Sequence, residues 1–213
     1  MAPLDTRSIP EEVLLLCVDP EYGRLRIPAT TFHRVIAGAV LAELLVTGAI
    51  SVDGRRITGY RPLGPADEVA AGVLARLEDA GKRQSPRGLD IALRRIPRKP
   101  GHRPYLDRLV AAGLVTAETR RVLGIPYRRY VAVRPDIGTV TAARVAATLE
   151  RPADGSPADE RDRQLAGLVA AARLDRRLYP GPAGAATRRA ARQLGKELPV
   201  AQAVRRAVNA DAG

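Results

Sequence analysis

The chain has 213 residues, of which 46% are hydrophobic, and a net charge of +12. This length suffices for one large or two small domains with a buried core, and the apolar content excludes general disorder. The charge indicates an acidic partner, and the single cysteine, Cys17, excludes an internal disulfide. All but three of the basic residues are arginine. Because GC-rich codon usage also produces arginine, the charge alone does not identify the partner.

Two buried helices are expected in the first part of the chain. Residues 8–11 (SIPE) form a capping box with proline at N1, which predicts a helix through Val18. Thr30 or Thr31 caps a second helix, for which Gly48 is a fitting end. This second helix is apolar nearly all round over most of its length, so we expect it at the centre of the fold.

Neither a leader peptide nor a membrane span is predicted. Residues 1–10 lack the basic segment and the cleavage site of a signal peptide. The most apolar stretch, 35–46, has 12 residues, whereas a bilayer span needs about 20. The expected location is therefore the cytoplasm.

The middle of the chain predicts helices between two hairpins. Asp53-Gly54, flanked by alternating residues, is a strong hairpin signal. Three helices follow, over 67–80, 86–96 and 104–112. Residues 114–116 and 130–133 then predict paired strands around a longer loop.

The last third of the chain is expected to be helical. One helix is predicted over 135–149, and 151–158 (RPADGSPA) is a candidate linker. Three helical stretches follow, over 159–178, 183–197 and 200–209. The C-terminal basic residues are interpreted as a solvated helical face: Arg188, Arg189, Arg192, Lys196, Arg205 and Arg206. The whole chain, 1–213, is expected to be a single mainly α domain with two hairpins.

No catalytic site, metal site or cofactor is predicted. His33 and His102 are the only histidines, and no His or Cys cluster has the spacing of metal ligands. The chain contains no phosphate-binding glycine loop and no nucleophile elbow. Carboxylates such as Asp67 stand at helix N-termini, where the helix dipole explains them. The protein is therefore expected to bind rather than to catalyse.

An apolar hairpin tip lies between two arginine pairs. The tip residues are Val122, Leu123 and Ile125, and the flanking arginines are Arg120, Arg121, Arg128 and Arg129. This arrangement suits insertion at a lipid interface, where the aliphatic tip meets acyl chains and the guanidinium groups meet headgroups. An oligomer contact, with arginines that keep an edge strand soluble, is a compatible alternative.

A winged helix that binds DNA is a second interpretation of the same stretch. A recognition helix over 104–112 would be followed by an arginine-rich wing along the phosphates. After Tyr105, however, this helix offers only Asp107 and Arg108 as polar side chains for reading bases. A scaffold without a polyanionic ligand is the third interpretation.

Four segments together resemble the Golgi phosphoprotein 3 family in its bacterial-type branch. They are EEVLLLCVDPEYGRL (11–25), IAGAVLAELLVTGAISVDG (36–54), YLDRLVAAGLVTAETRRVLGIPYRRY (105–130) and RDRQLAGLVAAARLDRRLYP (161–180). The resemblance implies a central helix bundle ringed by amphipathic helices, with one protruding hairpin used in self-association. It also implies peripheral membrane binding through phosphatidylinositol 4-phosphate.

The resemblance also implies a headgroup pocket, which eukaryotic members build from one Trp and three Arg. Pro28 stands at the Trp position and Ala37 at the first Arg position, whereas Lys99 and His102 stand at the other two. Three further cationic candidates lie nearby in the sequence: Arg26, Arg34 and Arg103. The expected partners are an anionic phospholipid surface and further copies of the chain through the hairpin 115–133. Nucleic acid is the alternative partner.

Overall fold

The computed structural model describes residues 7–212 except 21, 65–66, 83–87, 98–100, 123–124, 135 and 152–153, and it does not describe the side chains of 82, 120–129 and 157. The described residues form ten helices and four strands. The helices are α1 (Ile9–Cys17), α2 (Ala29–Val46), α3 (Glu68–Lys82), α4 (Leu89–Arg95), α5 (Arg103–Ala111), α6 (Asp136–Glu150), α7 (Pro157–Ala171), α8 (Asp175–Leu178), α9 (Ala185–Glu197) and α10 (Pro199–Ala210). The strands are β1 (Ile50–Asp53), β2 (Arg56–Tyr60), β3 (Val115–Val122) and β4 (Ile125–Ala132), which pair as two antiparallel hairpins. The predicted mainly α, single-domain fold with two hairpins is confirmed.

Helix α2 lies at the centre of the core, as its apolar sequence predicts. Its 18 residues are long and apolar enough to cross a membrane, but 67% of the helix is buried inside the protein. Gly38 allows α10 to approach closely, because a Cβ atom there would clash with Cγ2 of Val204. The helix is thus the central element against which α1, α7 and α10 pack.

Several local signals in the sequence are confirmed. The backbone N–H of Ser8 donates to Oε2 of Glu11 at 2.6 Å, so the capping box forms. Gly48 ends α2 with φ +71°, and Gly54 turns the first hairpin with φ +53°. The expected threonine cap of α2 is wrong, because Pro28 is the N-cap and the helix begins at Ala29, at least two residues earlier than a threonine cap would give.

The second hairpin is longer than its sequence predicts. Its eight backbone pairs run from Val115 opposite Ala132 to Val122 opposite Ile125, so most of the predicted loop is strand. These strands are rich in arginine, threonine and tyrosine, and their apolar residues do not recur at every second position. A hydrophobicity pattern therefore does not predict them as strands. At about 3.4 Å per residue, the ribbon extends about 25 Å.

The predicted helix over 159–178 is instead two helices. Arg173 has φ +58°, which interrupts the chain between α7 and α8. Non-glycine residues adopt this conformation rarely, so the sequence carries no signal for the break. Helix α7 also begins inside the candidate linker, where the Ser156 hydroxyl accepts the backbone N–H of Asp159 at 3.1 Å. A hydrogen bond of 3.3 Å between Thr148 and Asp162 joins the helices on either side of this segment.

A buried group of charges connects α1, α6 and α7. Glu12 is 1% exposed and forms salt bridges with Arg144 at 2.7 Å, Arg161 at 3.6 Å and Arg7 at 3.9 Å. Burial raises the pKa of Glu12, although Arg144 and Arg161 oppose that rise. Glu43 of α2 extends the network, because it lies 3.3 Å from Arg161.

Candidate functional site

The loop before α5 lies against the first turns of α2. His102, the N-cap of α5, has its ring centroid 5.5 Å from that of His33 and 5.2 Å from that of Phe32. The ring centroids of Phe32 and His33, which both belong to α2, lie 5.7 Å apart. The fold therefore brings together the two segments that the family resemblance assigns to the headgroup pocket.

Partial positive charge accumulates where these two helices begin. Like α9 and α10, helices α2 and α5 carry no acidic residue in the first turn, whereas the other six helices do. Each helix N-terminus has free N–H groups that carry about half a positive charge. Arg103 is exposed at the first position of α5 and forms no ion pair with any described residue. The arrangement is suited to an anion rather than to a cation.

His102 is held mainly in its neutral form. Burial lowers its pKa, and the nearby His33 ring lowers it further. Nδ1 of His102 is buried without a hydrogen-bond partner among the described residues. The charged group that an incoming oxyanion would meet here is therefore the exposed guanidinium of Arg103.

The lowered pKa of His102 predicts a pH dependence of folding stability. The unfolded chain binds the imidazole proton more tightly than the folded chain does. The contribution of neutral His102 to the free energy of unfolding is therefore fully present above the ordinary histidine pKa of about 6.5. We expect the free energy of unfolding to fall as the pH drops from about 6.5 through the lower pKa that His102 has in the folded chain, and then to level off. Urea unfolding at a series of pH values measures this dependence. The variant His102→Gln should lose that part of it, and an unchanged profile in the variant would contradict the assignment.

Two other cationic candidates are engaged elsewhere in the protein. Arg34 is 7% exposed, and its Nε and Nη2 donate to the Asp211 carboxylate at 2.7 and 2.8 Å. This bidentate pair ties α2 to the end of α10, so the guanidinium of Arg34 already has a partner. Arg26 lies 4.0 Å from Asp19 and lines an apolar cavity at the base of the second hairpin. Lys99 lies outside the described residues.

The backbone of the second hairpin carries the predicted arginines towards its tip. Arg121 is opposite Pro126, Arg120 opposite Tyr127, and Thr119 opposite Arg128. Val122 and Ile125 form the last backbone pair, and Leu123 lies outside the described residues. Strand alternation places Arg120 and Arg129 on one face of the ribbon and Arg121 and Arg128 on the other. The backbone register therefore assigns two of the four arginines to each face of the hairpin.

Sequence reasoning missed a cluster of charges around Arg108 on α5. Its guanidinium forms salt bridges with Glu11 at 3.0 Å and with Asp67 at 3.2 Å. It also lies 4.8 Å from the ring centroid of the buried Tyr105. Asp67 in turn accepts the backbone N–H of Ala70, as its predicted place at the start of α3 suggests. Only the fold brings these partners together, because they are separated by up to about 100 residues.

The described residues contain no group of three or more His, Cys, Asp or Glu that could hold a metal ion. Cys17 is fully buried, and burial raises the pKa of its thiol to about 12. The thiolate form is therefore negligible at neutral pH.

Comparison with known proteins identifies the family. The search of curated proteins finds no match. The family model described as Golgi phosphoprotein 3 (GPP34) matches residues 9–210, which span the fold from the first residue of α1 to the last of α10. This family is not known as an enzyme family. The chain therefore belongs to the Golgi phosphoprotein 3 (GPP34) family.

Proposed function

We propose that the protein is a non-enzymatic peripheral membrane protein that binds anionic phospholipid headgroups at a cytoplasmic membrane surface. By its family resemblance, the lipid is phosphatidylinositol 4-phosphate. The observation that carries the proposal is the meeting of His102 and His33 at the start of α5 and α2, with Arg103 exposed beside them.

The headgroup would bind at the start of α5. Lys99, His102 and Arg103 supply the cationic and hydrogen-bonding groups, and the backbone N–H of Arg103 is a further donor to phosphate oxygens, whereas Pro104 has no N–H. Ala37 is 5% exposed and carries no charge, and Pro28 provides no aromatic wall. We therefore expect weaker discrimination between phosphatidylinositol 4-phosphate and other anionic lipids than four intact positions would give.

The second hairpin would supply the other contact with the membrane. From the last backbone pair, Arg121 and Arg120 lie about 3 and 7 Å back along the ribbon, and Arg128 and Arg129 about 10 and 14 Å. The headgroup layer on each side of a bilayer is about 7 Å thick. If the ribbon enters tip first, the apolar tip reaches the acyl boundary while arginines on both faces remain among or above the headgroups.

The strength of this contact predicts a role for self-association. Each Arg near an anionic leaflet contributes about 1 kcal/mol, so the four hairpin arginines contribute about 4 kcal/mol, equivalent to about millimolar affinity. One copy would therefore bind weakly and reversibly. A homo-oligomer formed through the region 115–133, with several hairpins on one side, would bind far more tightly through avidity.

DNA binding is the alternative function, and the environment of Arg108 counts against it. Arg108 is the one basic side chain after Arg103 on the helix that would enter the major groove. Its salt bridges with Glu11 and Asp67 would have to break before it could contact a base. Membrane binding needs no such rearrangement, because Arg103 has no ion-pair partner among the described residues.

Two parallel binding assays test the proposal. The protein is sedimented with liposomes that contain phosphatidylinositol 4-phosphate, phosphatidylinositol or only neutral lipid, and a gel shift on duplex DNA is run at the same salt concentrations. We expect sedimentation with both anionic liposomes and not with neutral ones. A DNA shift at physiological salt, with a steep salt dependence and without sedimentation on anionic liposomes, would overturn the lipid proposal.

A further inference from the structure

A basic cavity lies among the C-terminal helices, far along the chain from the candidate headgroup site. The end of α7 and helices α8, α9 and α10 line a solvent-open cavity of about 340 Å³. Five basic side chains line it: Arg173, Arg176, Arg192, Lys196 and Arg205. Their sequence positions span three helices and a loop, so the sequence alone indicates only separate solvated faces.

Two of these side chains are oriented by fixed partners. Asp175 is 2% exposed, and its Oδ2 accepts Nε of Arg192 at 2.7 Å. Arg173 adopts φ +58° and donates to Oδ1 of Asn209 at 3.3 Å, which links the α7–α8 break to α10. Both guanidinium groups keep further N–H donors for a ligand, because each carries five.

The other three cations have no opposite charge to neutralise them. Arg176, Lys196 and Arg205 are exposed, and none forms a salt bridge with a described residue. Asp175 is the one carboxylate in the lining. The carbonyl ends of α7, α9 and α10 add about half a negative charge each, so the lining retains a net charge of about +2.5. The negative ends of the helices and Asp175 therefore do not neutralise all five basic side chains.

Small residues keep the floor of the cavity open. Ala170, Ala171 and Gly195 belong to the lining. A Cβ atom on Gly195 would lie 3.4 Å from both Cβ of Ala170 and the carbonyl oxygen of Gly167, an ordinary contact distance, so α7 and α9 pack closely here. The long basic side chains thus surround a space within the range of small-ligand pockets, about 300–1,000 Å³.

We infer that this cavity binds a ligand with two or more phosphate groups. Several arginines can each hold phosphate oxygens through paired N–H donors, and a multivalent anion would relieve the repulsion among the five cations. A soluble phosphorylated metabolite and a phosphorylated lipid headgroup share this chemistry. The site is distinct from the start of α5, and it does not depend on the proposed membrane contact.

Calorimetric titration of the full chain with inorganic pyrophosphate tests the inference. We expect a dissociation constant below about 1 mM, and at least about tenfold weaker binding by the variant Arg176→Gln/Lys196→Gln/Arg205→Gln. The control variant Arg94→Gln/Arg177→Gln/Arg189→Gln removes the same charge from exposed positions outside the cavity and should bind as the wild type does. Absence of binding by the wild type, or equal losses in the two variants, would overturn the inference.

Hydrogen exchange of the wild-type protein provides a test that does not depend on how the variants fold. Pyrophosphate should slow exchange in the segments 170–176 and 192–209. Protection confined to other segments would contradict the assignment.

Vesicles distinguish the two sources of phosphate. If the cavity variant also sediments less with phosphatidylinositol 4-phosphate vesicles, the ligand is a lipid headgroup. If it loses only pyrophosphate binding, the ligand is soluble, and either result supports a phosphate site. Loss of a duplex DNA shift in this variant, with pyrophosphate binding unchanged, would replace the inference with a nucleic-acid contact.

Discussion

Replacing Glu12 with alanine is expected to lower the free energy of unfolding by about 3–5 kcal/mol. Glu12 is almost fully buried, and Arg7, Arg144 and Arg161 all lie within 4.0 Å of its carboxylate. Removing it leaves these guanidinium groups partly buried with less opposite charge. The loss is measured by urea unfolding of the wild type and of Glu12→Ala.

The expected cost does not require the buried charges to be favourable in themselves. Burial raises the pKa of Glu12, so the cost of removing its charge from water exceeds the attraction of the arginines. The loss of stability arises because the partly buried arginines lose a neighbouring negative charge when that one carboxylate is removed. Arg144 retains Asp162 at 2.9 Å and Arg161 retains Glu43, whereas the salt bridge of Arg7 is lost.

A second glutamate provides the control for this experiment. Glu150 is exposed at the last position of α6 and forms no salt bridge with a described residue. The variant Glu150→Ala should change the free energy of unfolding by no more than about 0.5 kcal/mol. A loss below about 1 kcal/mol in Glu12→Ala would show that the network contributes little to holding α1, α6 and α7 together.

Replacing the four hairpin arginines by glutamine is expected to weaken binding to anionic liposomes about 1,000-fold. The positions are Arg120, Arg121, Arg128 and Arg129. At about 1 kcal/mol each, they account for about 4 kcal/mol, and 1.4 kcal/mol corresponds to a factor of ten. Sedimentation at a series of lipid concentrations measures the change.

A control must distinguish the effect of lower net charge on liposome binding from the effect of removing arginines at the hairpin. The variant with Arg56, Arg61, Arg94 and Arg95 changed to glutamine loses the same charge from exposed residues on the first hairpin and on α4. We expect it to retain most of the binding. If it binds as poorly as the hairpin variant, attraction would depend on net charge, and the hairpin would not be a specific contact.

Local signals in the sequence predict much of the fold. The capping box at Ser8, the Asp53-Gly54 turn and the helix end at Gly48 each depend on a few neighbouring residues, and all three form. The apolar sequence of α2 also predicts its central place. These features are predictable because their physical causes lie within a few residues of chain or within one helix face.

Features that depend on partners distant in the sequence were not predictable. The salt bridges of Glu12 join residues up to 149 positions apart, and the basic cavity joins the α7–α8 break to α9 and α10. The sequence also offered Arg34 as a candidate for headgroup binding, whereas the fold gives it Asp211 as a partner. The length of the second hairpin was missed because its strands lack an apolar period.

The candidate headgroup site was partly predictable. The family resemblance assigns Pro28 and His102 to one pocket, and in the structure the ring centroid of His102 lies 5.5 Å from that of His33 in α2. His33 was not a candidate for the site, because nothing in its local sequence points to His102. Only the fold shows that the first turns of α2 and the start of α5 lie close together.

The most direct test of membrane binding is a fluorescent probe at the hairpin tip. Because Cys17 is fully buried, a cysteine introduced as Val122→Cys can be labelled selectively with an environment-sensitive dye. On addition of liposomes that contain phosphatidylinositol 4-phosphate, we predict a blue shift of the emission, whereas the same dye at Asp154→Cys should not shift. Co-sedimentation of the labelled protein without a blue shift at position 122 would contradict insertion of the hairpin. Absence of both sedimentation and shift would contradict membrane binding itself.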